Sequence, residues 1–388
     1  MSAKNAVWRR AIAVAGLGIF TLAYAELFIR LLAPQPIMPR YVTGTSYGVR
    51  GNIPNAHYRH TTSEVDVDFK INSQGMRADR DFPFEKSPGT CRVAIFGDSF
   101  FMGYELNYED TFARQLEKRL RAEGLAAEVL NFAVSGFGTA EMLRAYESQG
   151  QRFDPDLVIF EWHSTDPNDN VRSGLYRLAG GTLTPTNRSY LPSIGTQDAL
   201  LRWRVYRLIA DNSHLYSLVR ESAAKLAKKM LVTLKSLRTP MDAEAADEPD
   251  DSGDESADGE PQGNEHSASS LLSAAILKRA QDTVEHSGQS FYVLEIPLKE
   301  SRTTFKSSLA VLPAEQLSGM EIISPLSAFR ALAAPDRKIF FEHGQGHITP
   351  IAVEAIVAVA VPKLLADPHL QNCRTVSPAP TQTESGIP

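Results

Sequence analysis

The sequence predicts an α/β fold: a doubly wound three-layer sandwich around a central parallel sheet, with an N-terminal membrane helix added. Three observations point to it. Short and nearly unbroken apolar runs, such as 93–97 (VAIFG) and 156–162 (DLVIFEW), read as strands covered on both faces. Between them lie segments with apolar residues at helical spacing, as in 111–124, where Phe112, Leu116 and Leu120 recur and Gly124 stops the run. The apolar runs end in turns rich in Gly and polar residues, and open α/β sheets bind ligands outside the carboxyl ends of their strands.

The elements follow in order. Residues 1–33 begin with Lys4, Arg9 and Arg10 and no acid, then run apolar from Ala11 to Ala25, broken only by Thr21, and apolar character resumes through Leu27, Phe28, Ile29, Leu31, Leu32 and Ala33. A helix from Val7 to Ala33 is long enough to span a bilayer, so the segment reads as an uncleaved anchor; cleavage after Ala23-Tyr24-Ala25 is the alternative. Glu26 and Arg30, four residues apart, would pair on that helix at the interface. The flanking positive charge stays in the cytoplasm. The expected location is therefore the inner membrane, single-pass, with the main domain periplasmic or extracellular.

Residues 34–90 are an irregular approach segment or small hairpin, with Val65, Val67 and Phe69 alternating with polar residues. The α/β domain spans 91–370. Its strands are expected at 93–97, 127–134, 156–162, 291–297 and 320–325, its helices at 111–124, from about 139, at 271–286 and at 349–366. An insertion at about 198–270 begins with helices dense in Leu, Ala, Lys and Arg and continues into an acidic stretch. That stretch, 241–260, has ten acids and no base, so the net charge of −6 is local and the rest of the chain carries +4. With almost no large apolar residue it cannot offset its ordering entropy, and disorder is expected. Residues 371–388 read as a loose, Pro-containing tail. Cys91 and Cys373 flank the domain; a disulfide and two unrelated thiols both remain open. No basic stripe with interleaved aromatics occurs, which argues against nucleic acid as a partner. No zinc-type spacing occurs either, and neither metal nor cofactor is expected.

The chemistry concentrates at the strand ends. Gly97-Asp98-Ser99 puts a hydroxyl at the top of the first strand, and a serine becomes a nucleophile when an adjacent base takes its proton. His347, in a Gly-rich loop before the closing helix, is the candidate base. The turn 135–138 (SGFG) and the segment 163–170 (HSTDPNDN) end two further strands and offer donors for an oxyanion.

These blocks, in this order, resemble the SGNH (GDSL-like) hydrolase superfamily, particularly its membrane-anchored bacterial branch related to polysaccharide O-acetyltransferases and esterases. The resemblance covers 91 to about 366 apart from the insertion. It rests on GDSF at 97–100, NFAVSGFGT at 131–139 and GHITPIAVEAI at 346–356, with INSQGMR at 71–77 similar to a lead-in of that branch. It implies Ser99 as nucleophile, His347 as base, and the amides of Ser99 and Gly136 as oxyanion donors. Two positions depart from the pattern. Thr165 stands where an Asn donor is expected, with Asn168 three residues on. Gln345 and Gly344 stand where an Asp usually precedes the His, leaving Glu342 as the nearby acid that could orient its ring.

The expected function is an exported serine esterase acting on acyl esters, acetyl first among them, with an acylated small molecule or O-acylated polysaccharide as partner and the membrane held through the N-terminal helix. Two alternatives share the fold: a polysaccharide O-acyltransferase using the same site, and a non-catalytic polysaccharide-binding or assembly protein with a degenerate site.

Overall fold

The computed structural model describes residues 3–37, 41–62, 64–192, 194–220, 222–223, 226, 267–334, 337–342 and 346–373. The acidic stretch 241–260, Gln345 and the tail beyond 373 lie outside the described residues. The chain opens with α1 (Ala3–Leu32), whose section Val7–Leu32 is long and apolar enough to cross a membrane and has no buried residue. Two antiparallel hairpins follow, β1 (Val42–Gly44) with β2 (Arg50–Asn52), and β3 (His57–Thr61) with β4 (Asp66–Lys70). Val67 and Phe69 of β4 are buried while Asp66, Asp68 and Lys70 are exposed, so the predicted alternation holds.

The sandwich is then built from β5 (Thr90–Phe96), α2 (Ser99–Met102), α3 (Phe112–Ala122), β6 (Ala126–Asn131), α4 (Thr139–Ser148), β7 (Leu157–Trp162) and α5 (Asp166–Ser173). A small hairpin of β8 (Tyr176–Ala179) and β9 (Thr182–Pro185) leads into the insertion, which holds α6 (Ile194–Leu201), α7 (Arg204–Asn212) and a helical stretch at 214–220. The sandwich resumes with α8 (Ala268–His286), β10 (Ser290–Glu295), a short hairpin of β11 (Leu298–Lys299) and β12 (Phe305–Lys306), and α9 (Ala314–Leu317). It closes with β13 (Glu321–Ile323), α10 (Leu326–Leu332), α11 (Pro350–Leu365) and α12 (Pro368–Gln371).

Five strands form one sheet in the order β13-β10-β7-β5-β6, every pair parallel. Successive side chains on a strand point to opposite faces, and here each face has its own core. Val93, Ile95, Leu157, Ile159 and Leu294 pack with α3 and α11; Ala94, Phe96, Val158, Phe160 and Val293 pack with α4 and α8. Both faces being covered is why the strands read as continuous apolar runs. Cys91, on β5, and Cys373, after α12, form a disulfide with their Cα atoms 5.5 Å apart, which ties the end of the domain to the first sheet strand.

The order of the strands matters for the site. The chain leaves β5 toward β6 on one side, then crosses back to β7 on the other, so the direction of winding reverses at β5. Such a reversal opens a crevice at the carboxyl ends of the strands.

Candidate active site

Ser99 is the first residue of α2, immediately beyond β5. Gly97 permits the turn that puts it there: a Cβ at this position would lie 2.2 Å from Glu161 Oε2 and 2.8 Å from Phe101 Cβ. Asp98 caps α2, its carboxylate accepting from the Phe100 amide at 2.7 Å, and Glu161 on β7 braces the same turn by accepting from the Asp98 and Phe101 amides at 2.9 and 3.3 Å. Burial, and then the charge of Asp98, pushes Glu161 well above the usual carboxylate range, and burial also raises Asp98. Two buried acids side by side cannot both stay ionised cheaply, and Glu161 stands as a structural brace of the turn.

His347 reaches the serine from the other end of the domain. The arm 339–341 runs antiparallel to 347–349, with Phe340 bridged to Ile348, Phe341 N donating to His347 O at 2.8 Å and Thr349 N to Ile339 O at 2.9 Å. Thr349 then caps α11, with Pro350 at its first position, so the arm has a fixed exit. The result is short: His347 Nε2 lies 2.7 Å from Ser99 Oγ. The imidazole is buried, with the rings of Phe100 and Tyr104 centred 5.0 and 5.4 Å away.

The acid beside the histidine is Glu105. Its Oε2 accepts from His347 Nδ1 at 3.1 Å and from the His347 amide at 3.3 Å, and its side chain is fully buried. A carboxylate is an acceptor, so it places the ring proton on Nδ1 and leaves Nε2 to receive the serine proton. Glu105 is delivered by the loop after α2. Gly103 takes a left-handed conformation (φ 71°) there, and the buried Arg77 guanidinium donates to the carbonyls of Met102, Gly103 and Leu106. Burial lowers Arg77 to about 9, which leaves it cationic at neutral pH, stacked 4.0 Å over the Phe69 ring. Arg77 is the last residue of the INSQGMR stretch, which is thereby placed against the loop that follows Ser99 and α2.

Glu342, the acid expected near the histidine, is turned away from it. Its carboxylate pairs with Arg302 at 3.0 Å and lies 3.7 Å from Lys338. Its amide donates to Glu64 at 2.8 Å, which fixes this part of the arm against the approach segment. The expectation that Glu342 orients His347 is therefore corrected: the contact belongs to Glu105. The signal that could have found it is a lone acid inside an apolar run, FFMGYEL, since an isolated buried acid needs a partner.

The other expected residues lie in turns at the carboxyl ends of the neighbouring strands. Gly136, in the turn after β6, has φ 75°, and a Cβ there would lie 2.9 Å from both terminal nitrogens of Arg50, which donates to the Gly136 carbonyl. Glu141 steadies this turn, accepting from the Gly138 amide at 3.1 Å and lying 3.5 Å from Arg50; burial raises it to about 7. Thr165 precedes α5, and its hydroxyl lies 3.1 Å from His163 Nδ1. Asp166 accepts from the His163 amide at 2.7 Å and the Thr139 amide at 3.0 Å, so one buried side chain links the turns after β6 and β7. Asn168 is exposed in the first turn of α5.

No family model matches the chain, and no curated protein matches it. Among solved structures it is similar to a lipase/acylhydrolase from Enterococcus faecalis (10% identity, TM-score 0.35, 71% of this chain and 95% of that chain). It is similar also to an acetyl xylan esterase (10%, TM-score 0.37, 70% and 99%) and to a two-domain esterase active on acetylated mannans (8%, TM-score 0.37, 77% and 53%). At such identities and TM-scores, function has to be read from the residues of this chain.

Proposed function

We propose that the protein is a membrane-anchored serine esterase whose domain lies outside the cytoplasm, with Ser99 as nucleophile, His347 as general base and acid, and Glu105 as the residue that positions His347. The observation that carries this reading is the chain of contacts Ser99 Oγ to His347 Nε2 at 2.7 Å and His347 Nδ1 to Glu105 at 3.1 Å. Nucleophile, base and orienter in hydrogen-bond sequence are what acyl transfer through a serine requires, whatever their order in the chain.

Ser99 Oγ attacks the acyl carbonyl carbon while its proton passes to His347 Nε2. The imidazolium that forms is stabilised by the Glu105 carboxylate. The tetrahedral oxyanion takes the amides of Ser99 and Gly136 and the Thr165 hydroxyl as donors. Collapse breaks the ester C–O bond, the departing alcohol takes the proton from Nε2, and the acyl group stays on Ser99. Water, deprotonated by the same Nε2, attacks the acyl-serine, and the carboxylic acid leaves as Ser99 recovers its proton.

The Cys91–Cys373 disulfide and the apolar Val7–Leu32 section of α1 both support export and anchoring, since disulfides persist in oxidising compartments. The substrate class that fits is an acetyl or other short acyl ester on an extracytoplasmic polysaccharide, a choice that rests on the resemblance of the sequence blocks. Glu105 speaks against the degenerate, non-catalytic alternative, because the carboxylate that reading took to be lost is supplied from another loop.

The test is labelling of the purified full chain with a fluorophosphonate, followed by peptide mapping, together with hydrolysis of an aryl acetate. Labelling at Ser99, and loss of both labelling and turnover in Ser99→Ala, is the expected result. A wild-type chain that neither reacts with the probe nor turns over the ester overturns the proposal.

A further inference from the structure

The insertion carries an apolar surface that the ester chemistry does not use. In α7 the side chains turned to solvent include Val205 and Leu208, 68% and 67% exposed, and the preceding Trp203 is 73% exposed. Ile209 belongs to the same face, since 205, 208 and 209 share one side of a helix. The inward side holds the buried Ala210 with the half-buried Tyr206 and Asp211, and the Tyr206 hydroxyl lies 2.8 Å from that of Tyr216. This is the reverse of a water-facing helix, which turns its large apolar residues inward.

The surface is fastened to the outer end of α1. Glu26 accepts from Ser213 Oγ at 2.7 Å and from the amides of His214 and Leu215 at 3.0 and 2.9 Å, where the helical stretch 214–220 begins. Arg30, paired with Glu26, donates to the Asn212 carbonyl at 2.7 Å, at the end of α7. Acid at a helix start and base at a helix end are the favourable placements for both charges. From Arg10 to Glu26 the helix rises about 24 Å, so these contacts fall near the far boundary of a hydrocarbon layer roughly 30 Å thick. Arg202, Arg204 and Arg207 are exposed around the apolar face. Apolar residues backed by arginines at that height match an anionic lipid surface: the former enter the acyl boundary and the latter meet phosphates.

We propose that residues 202–220 form an interfacial collar that lies on an anionic bilayer surface around the exit of α1. The proposal rests on reading α1 as the anchor. The collar holds the α/β domain beside the membrane at a set orientation, through Glu26 and Arg30, where a single helix and a flexible leader would let it swing.

The test uses the full chain in vesicles of phosphatidylcholine and phosphatidylglycerol, with and without lipids brominated close to the glycerol end of their acyl chains. Trp162 is fully buried, so Trp8→Phe leaves Trp203 as the lipid-accessible reporter and Trp203→Phe leaves Trp8. The expected result is quenching of Trp203 by about twofold or more, and its loss in Leu208→Glu with Ile209→Glu. Quenching of Trp8 without Trp203 overturns the collar and leaves the anchor standing; quenching of neither overturns both. An unquenched Trp203 whose emission shifts to the red on deletion of 241–260, or on dilution, assigns the face to the acidic stretch or to a second copy, and also overturns the proposal.

Discussion

Glu105 and Glu342 are two acids with equal chemistry and opposite surroundings. Glu342 is five residues from His347 in the chain and ends in an exposed cluster with Arg302, Lys338 and Glu64. Glu105 is 242 residues away and ends against the imidazole, in a dry region walled by Tyr104, His60 and the Arg77-braced loop. An exposed ion pair contributes little because water and salt screen it; a buried carboxylate acts through a low dielectric and holds its partner in one geometry. The acid that meets the imidazole is the one excluded from water, and closeness along the chain is a poor guide to it.

The largest expected effect is at Glu105. Glu105→Gln removes the charge that stabilises the imidazolium and allows an amide N–H to face Nδ1, which favours the wrong tautomer. Ester hydrolysis should fall by about 10²- to 10⁴-fold in kcat/KM, with Ser99→Ala setting the floor. Steady-state kinetics over a range of pH measures it. A Glu105→Gln enzyme within about threefold of the parent would remove Glu105 from the mechanism.

His60 reports how dry the Glu105 side is. The residue is fully buried, neither ring nitrogen has a hydrogen-bond partner among the described residues, and the ring stands edge-on to Tyr104 at 4.4 Å. Burial lowers it to about 4; Glu105 nearby works against that shift, while His347 and Arg77 add to it. The unfolded chain therefore takes up a proton near 6.5 that the folded chain refuses until about 4. The stability held by neutral His60 is complete above the higher value and drains as pH falls through that window, to a loss on the order of 3 kcal/mol. In urea unfolding at pH 7 and pH 4.5, the drop in stability on acidification should be smaller for His60→Leu than for the parent by about 2 kcal/mol. Equal drops in the two proteins would mean that water reaches the ring, and that the Glu105 side is less dry than its packing indicates.

What was legible in the sequence follows from the range of the forces involved. Strands such as β5 and β7 were readable because burial on both faces leaves a local signature, and α3 because Phe112, Leu116 and Leu120 repeat at the helical period. Ser99 stood out because it follows the end of a strand and His347 because it precedes a helix, and the structure brings the two side chains together. Glu105 was not, since its position depends on Arg77 clamping a loop from a separate hairpin region and on Gly103 turning it, neither of which leaves a periodic trace. The Cys91–Cys373 bridge stayed open for the same reason: a separation of 282 residues is closed by the whole sandwich. The insertion was readable only as helices dense in Leu, Ala, Lys and Arg, and composition does not say which way an apolar face points; in α7 it points outward.

The smallest expected effect is at Glu342, and it carries the other half of the comparison. Glu342→Gln keeps the size of the side chain and its backbone contact to Glu64, and removes one charge from a cluster in which Lys338 retains Glu64 at 2.9 Å. Surface pairs of this kind contribute at most about 1 kcal/mol, so kcat/KM should stay within about twofold of the parent and unfolding within about 0.5 kcal/mol. The same kinetic series used for Glu105→Gln checks it. A tenfold loss in Glu342→Gln would mean that the arm 339–349 rearranges in the working enzyme and brings its own acid to His347. The contrast between the two carboxylates would then describe a resting state only, and a double variant with Glu105→Gln would show non-additive losses as the two acids compete for one imidazole nitrogen.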